Sequence, residues 1–270
     1  MEFLGYWSLS EKPFENTCDP KFFYYSPFHK EALVRLIYVI KQNKAGALLA
    51  GDYGTGKTTI ANELLCEIEE NEDYRSAYIS NPLLTSRELL QEINFQLGGG
   101  DSRGTKLKLR RSIEDRFRKI ADEGNHPIVI VDEAHLITRR DVLEELRLMM
   151  NLYYKNSFLT SIIMMGQLEL RDIINEMPQF KQRFAMYYTL RTLDREETAR
   201  YISHRMQVAG VSRYVFSDEA LELIFEASSG RPRQINNICD MSLLVGYMKN
   251  AEHIDGNTIR EVVKDLGEEV

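Results

Sequence analysis

No uninterrupted apolar run in this chain reaches 18 residues, so no segment can span a bilayer as a helix by itself. The N-terminus, MEFLGYWSLSEKPFEN, carries Glu2, Glu11 and Glu15 and no apolar block, which excludes a secretory signal. Cysteine is scarce. Cys18, Cys66 and Cys239 are widely spaced and form neither a C-x-x-C pair nor an even set, which argues against a zinc site or a disulfide framework and suits a reducing compartment. There is no internal repeat and no low-complexity tract. Positive charge is in deficit: 34 Lys and Arg stand against 41 Asp and Glu, a net charge of −7. That balance argues against a protein coated in nucleic acid, though not against a local contact. The expectation is a cytoplasmic protein, and 270 residues suffice for one large domain or two smaller ones, each with its own core.

What is present is an alternation of short apolar segments with helical patterns. GALLAG (46–51), RSAYIS (75–80), PIVIVDE (127–133), SIIMMG (161–166) and AMYYTL (185–190) read as five buried strands. Between them lie amphipathic stretches such as HKEALVRLIYVIKQ (29–42), with Leu33, Leu36, Ile37 and Ile40 on one face. Thr85 and Glu88 form a T-x-x-E capping box ahead of LLQEINFQL. This order predicts an α/β fold with a mostly parallel sheet flanked by helices. After Thr192 the strand patterns stop, and helices are expected at roughly 195–209, 217–227, 232–250 and 257–266. The expected organisation is an irregular, proline-punctuated lead-in (1–30), an α/β domain (31–192) and a small all-helical domain (193–270).

The chemistry is concentrated in two places. Gly51-Asp52-Tyr53-Gly54-Thr55-Gly56-Lys57-Thr58 matches G-x-x-x-x-G-K-[ST], with a buried strand before it and a helix, opening at Thr58-Thr59, after it. Its glycines let backbone N–H groups converge on phosphate oxygens. Lys57 is placed to reach the β- and γ-phosphates of a nucleotide and Thr58 to offer its hydroxyl to Mg²⁺. PIVIVDEAH supplies the second part: an apolar strand delivers Asp132 and Glu133 to the sheet edge where open α/β sheets bind ligands. Asp132 is the candidate for the Mg²⁺ shell and Glu133 for orienting an attacking water. The letters DEAH also occur in helicases with two RecA-like domains, which need more chain than this one offers.

The ending SSGRPRQINNICD (228–240) places an arginine at the start of a helix in a small helical domain, a setting that resembles the sensor 2 of AAA+ ATPases. Taken with the lead-in KPFENTCDPKFFYYSPFHKEAL, the loop GDYGTGKTT, the strand IVIVDEAH, the turn MMGQLEL and the segment FKQRF, the chain resembles the AAA+ module of the general secretion pathway protein A (ExeA-like) family. Transposition helper ATPases of the Mu-B and TniB kind share that branch. The resemblance implies a P-loop AAA+ core with a five-stranded parallel sheet and a helical lid, ATP and Mg²⁺ as ligands, hydrolysis, and assembly into a homo-oligomeric ring or filament. It implies that Arg233 contacts the γ-phosphate, that Gln167 stands at the polar sensor 1 position, and that Arg183 acts as an arginine finger on a neighbour's ATP, with Lys181, Arg171 and Arg191 as rivals. It also suggests that Pro13, Phe14 and His29 lie near the adenine, the alternative being that they fill a core under the lead-in. Two positions depart from the family pattern: Leu168 replaces a proline, and Lys181 an arginine. Secretion members also continue into a membrane span and a cell-wall-binding domain that this sequence does not contain.

One stretch opposes the acidic background. SRGTKLKLRRSIEDRFRK (102–119) has eight basic residues and two acidic ones, a net +6 against −7 for the whole chain. Leu109, Ile113 and Phe117 are spaced to pack on the sheet while the cations face water. In AAA+ proteins this interval often faces the inner surface of the assembly, so Lys106, Lys108, Arg110 and Arg111 are candidates for contact with a DNA backbone. The readings open at this stage are a solvated helix face, a nucleic-acid contact and an acidic protein partner. The functions that follow are a secretion- or pilus-type assembly ATPase acting on a protein, or a DNA-assembled ATPase that recruits a transposase.

Overall fold

The computed structural model describes residues 2–17, 19–69, 74–100 and 104–267. Cys18 and the Ser102–Arg103 start of the basic stretch lie outside them. The helices, in chain order, are α1 (Glu2–Trp7), α2 (Pro27–Lys41), α3 (Lys57–Glu69), α4 (Ser86–Gln96), α5 (Lys106–Asp122), α6 (Arg140–Met149), α7 (Glu169–Asn175), α8 (Pro178–Lys181), α9 (Arg195–Val208), α10 (Asp218–Ser228), α11 (Pro232–Met248) and α12 (Gly256–Asp265). The strands of the main sheet are β1 (Gly46–Gly51), β2 (Tyr74–Ile79), β3 (His126–Val131), β4 (Ser161–Gly166) and β5 (Met186–Leu190). The chain divides into two compact units, one of residues 28–52 and 57–190, the other of residues 1–27, 53–56 and 191–270.

The first unit is the expected α/β fold. Its five strands are all parallel, in the order β2-β3-β4-β1-β5. Strands β1, β3 and β4 are buried along their whole length, which is why they read as continuous apolar runs rather than alternating ones. The register aligns Ile79 with Val131, Val131 with Met164, Ala50 with Gly166 and Gly51 with Leu190. The C-terminal strand ends therefore share one edge, and the segments that follow them are delivered to it together. Strand β3 stops at Val131, so Asp132 and Glu133 lie just beyond the strand rather than within it. The Thr85–Glu88 capping box forms in both directions, at 3.2 and 2.7 Å, and opens α4. Leu109, Ile113, Phe117 and Ile120 of α5 are buried in the α/β core. Helices α7 and α8 and a short hairpin pairing Tyr153 with Phe158 were not legible in the sequence.

The second unit is helical. Strand pairing within it is limited, among the described residues, to one isolated bridge between Phe216 and Ile254. The lead-in contributes to its core. Trp7 is fully buried and its indole N–H donates to the Leu243 carbonyl at 2.9 Å. Gly246 of α11 makes room for that ring, since a Cβ there would stand 2.9 Å from Trp7 and 2.4 Å from Ile254. Phe14 packs edge-to-face on Phe216. The buried Arg205 donates to the carbonyls of Pro13 and Glu15 and to the Tyr201 hydroxyl, and stacks over Phe22. The lead-in is thus held to α9 by a buried cation whose N–H groups satisfy carbonyls of irregular backbone.

Candidate functional site at the phosphate loop

The phosphate loop forms as its glycines require. Gly54 and Gly56 adopt φ of +74° and +95°, the left-handed region that costs other residues energy. Helix α3 starts at Lys57, so its unsatisfied N-terminal N–H groups follow the loop directly. Lys57 is buried, and its ammonium donates to the carbonyls of Gly51 at 3.0 Å and Asp52 at 2.8 Å. Burial pushes its pKa down, and the carboxylates of Glu133, Asp132, Asp52 and Glu169 partly offset that. Thr55 is fully buried within the loop, whereas Thr58 and Thr59 are half-buried in the first turn of α3.

The β3 carboxylates reach the same place. Thr58 donates its hydroxyl to Asp132 Oδ2 at 2.9 Å, and the Tyr78 hydroxyl, from β2, donates to the same oxygen at 3.1 Å. The other Asp132 oxygen accepts from the Glu133 N–H at 2.8 Å. Asp132 is 3% exposed, so its charge is stabilised by three donors rather than by water. Glu133 sits in the left-handed region, φ 49° and ψ 31°, a strained conformation for a residue with a side chain. The strain turns its carboxylate out of the strand, where it stays more than one-third exposed and stands 3.3 Å from His135 Nδ1. The backbone N–H of Gln167, just past β4, donates to the same Nδ1 at 3.3 Å.

The sequence-derived candidates therefore separate into groups. Lys57, Thr58, Asp132, Glu133 and Gln167 converge at one sheet edge with Tyr78 and His135, which sequence reasoning did not select. Tyr78 gave no signal, while His135 was visible only as the last letter of DEAH. In the helical unit, Arg233 heads α11 behind Pro232; its guanidinium donates to the Tyr53 hydroxyl at 2.6 Å and lies 5.3 Å from the centre of that ring. Pro13 and Phe14 are buried in the helical unit, and His29 is buried in α2. Arg183 is half-buried in the turn after α8, with Lys181 exposed beside it, and Arg171 donates to Thr189 at 2.9 Å.

The basic stretch is not uniformly solvated. Glu145 of α6, only 2% exposed, takes both Lys106 and Arg110 as partners. Burial works against its ionisation, but hydrogen bonds from Arg110 and Lys106 outweigh that and leave its pKa below the ordinary value. Lys106 also donates to Ser86 at 2.8 Å. Two of the four candidate DNA contacts thus bind α5 to α4 and α6, whereas Lys108 and Arg111 are exposed. No helix among the described residues is long and apolar enough to cross a membrane.

Residues 40–174 match the family described as an AAA domain. The chain is 37% identical over 257 residues to general secretion pathway protein A of Aeromonas hydrophila, a match covering 93% of this chain and 46% of that protein, so it spans about half of that relative's length. Among solved structures it is similar to the ORC2 protein of Aeropyrum pernix, with a TM-score of 0.70 at 14% identity over 95% of this chain and 71% of that one. It is also similar to Cdc6p from Pyrobaculum aerophilum, with a TM-score of 0.69 at 16% identity over 92% and 70%. At such identities these two likenesses speak to the fold alone. With the phosphate loop, the carboxylates beyond β3 and the five-stranded parallel sheet in place, the chain belongs to the AAA domain family.

Proposed function

We propose that the protein binds Mg-ATP on the Gly51–Thr59 loop and hydrolyses it to drive oligomeric assembly or to remodel a protein partner, as an assembly ATPase of secretion or pilus type. The observation that carries this reading is the convergence of Lys57, Thr58, Asp132 and Glu133 at one sheet edge. Lys57 exchanges its two carbonyl acceptors for phosphate oxygens. The adjacent Thr58 hydroxyl and Asp132 carboxylate are hard oxygen donors of the kind Mg²⁺ takes, with the rest of its shell left to phosphate and water. When bound, the ion neutralises charge on the phosphate oxygens. Glu133, turned out of the strand, orients the water and takes its proton. Gln167 serves as sensor 1, Arg233 as sensor 2, and Arg183 as the finger acting on a neighbouring copy.

The alternative, assembly on DNA, draws on the basic stretch. Pairing of Lys106 and Arg110 with Glu145 engages two of its four candidate contacts and weakens that reading, whereas the 37% identity to general secretion pathway protein A supports the first. ATP turnover by the assembled protein tests the reading: it is expected to fall to background in Lys57→Ala, while Glu133→Gln accumulates an ATP-bound oligomer on size analysis. Parent protein that binds ATP with no turnover above Lys57→Ala would overturn it. Binding to labelled duplex DNA with a steep salt slope that flattens in the Lys108→Ala/Arg111→Ala double variant would replace it with the DNA reading.

A further inference from the structure

A tyrosine in the phosphate loop holds the arginine that heads α11. Tyr53 occupies a freely variable position of G-x-x-x-x-G-K-[ST], so the motif assigns it no part in phosphate binding. Arg233 Nη1 donates to its hydroxyl at 2.6 Å, and the guanidinium carbon lies 5.3 Å from the ring centre, so the cation is engaged by both the phenol oxygen and the aromatic ring. Residues 53–56 belong to the same compact unit as α11. The backbones approach closely there: a Cβ on Gly54 would stand 3.4 Å from the Arg233 Cβ and 3.9 Å from the Arg231 Cβ. Of these two arginines, Arg231 turns the other way, its Nε donating to the Ser228 carbonyl at 3.0 Å. Helix α11 is anchored behind the contact, with Ile235 and Ile238 fully buried and Asn236 accepting from the Tyr201 hydroxyl at 2.8 Å.

An exposed arginine ordinarily samples many rotamers, and ordering it on a ligand costs affinity. Arg233 is exposed, yet Tyr53 already orders it beside the loop. A guanidinium has several N–H donors, of which the phenol oxygen takes one; the others are available to an anion. We infer that Tyr53 is a positioning residue that pre-orients Arg233 toward the terminal phosphate of a nucleotide on the loop, and so raises the preference of the site for ATP over ADP. ADP lacks the phosphate that Arg233 is proposed to contact, so the gain falls on ATP alone. The inference rests on the proposed ATP site and on the sensor 2 role of Arg233. A tyrosine that merely stored Arg233 away from the phosphates would act with the opposite sign, and removing its hydroxyl would tighten ATP binding.

The test is equilibrium binding, with Mg²⁺, of a fluorescent non-hydrolysable ATP analogue and of the matching ADP analogue. Tyr53→Phe keeps the ring and loses the acceptor. It is expected to weaken binding of the triphosphate about three- to tenfold, the range of one hydrogen bond, and to leave the diphosphate unchanged within about twofold. Tyr53→Ala, which loses the ring too, is expected to weaken the triphosphate at least as much. In the Arg233→Ala background Tyr53→Phe is expected to change neither, because its effect passes through the arginine. Tighter triphosphate binding in Tyr53→Phe, an equal loss for both nucleotides, or the same loss with and without Arg233 would overturn the inference. No binding by the parent above Lys57→Ala refutes the ATP site, and the inference with it. A preference for the triphosphate untouched by Arg233→Ala refutes the sensor 2 role, and again the inference with it. A preference lost in Arg233→Ala but untouched in both Tyr53 variants refutes the inference alone.

Discussion

Replacing Glu145 by glutamine removes one charge from the interior while keeping the side chain's volume. In the parent, the Glu145 carboxylate accepts two N–H groups from Arg110 and is paired with Lys106, although Glu145 itself is 2% exposed. Breaking a fully buried pair costs roughly 3–5 kcal/mol, largely because the surviving partner is left charged and dry. Here the survivors are not dry: the side chains of Lys106 and Arg110 are 37% and 42% exposed and can turn to water. What is lost is the set of charge-assisted hydrogen bonds joining α5 to α6, and the glutamine amide sets an N–H group among cationic donors. The expected destabilisation is therefore about 1–2 kcal/mol at pH 7. The pH dependence has a definite sign. Glu145 has a pKa held below 4.5, so its stabilisation is complete above that value and is lost as pH falls through the folded-state pKa. Urea unfolding of parent and Glu145→Gln in parallel should show a gap that is full at neutral pH and closes in acid. A gap at pH 7 within about 0.5 kcal/mol, the range of ordinary surface substitutions, would refute the reasoning, as would a gap that widens on acidification.

Other outcomes follow from the same structure. His126, buried at the start of β3 beside Ser161, is pushed by burial down to about 4 from 6.5. Between those values the unfolded chain takes up a proton that the folded chain refuses, so stability should fall by up to about 3 kcal/mol as pH drops through the window, and His126→Gln should flatten that slope in a series of melts. Arg205→Met strips the carbonyls of Pro13 and Glu15 of their buried donor. A cost of roughly 2–4 kcal/mol is expected, with new protease cleavage in the first 27 residues as the direct readout. Arg183→Ala should reduce turnover in the assembled protein by roughly 10³-fold while ATP binding is retained; unchanged turnover would move the finger role to Arg171, Lys181 or Arg191.

The sequence by itself determined the five strands of the main sheet, the longer helices and the phosphate loop, because these depend on neighbours along the chain. Burial on both faces leaves a continuous apolar run in β1, β3 and β4, and a phosphate loop is a local backbone conformation set by glycines and a helix start. The Thr85–Glu88 box was legible for the same reason. Glu145 was legible in part: it falls on the buried stripe of α6 with Val142, Leu146 and Met149, where a carboxylate demands a cation, but nothing local says which. Only the tertiary structure named Lys106 and Arg110, drawn from a helix 35 or more residues earlier, and so divided the basic stretch into cations that hold the fold and cations that face solvent. The same holds for Tyr78 on Asp132, for Arg205 beneath the lead-in, and for the Nδ1 of His135 set between Glu133 and Gln167. Each is a meeting of side chains on different elements, decided by strand order and register, which no periodicity along a single element encodes.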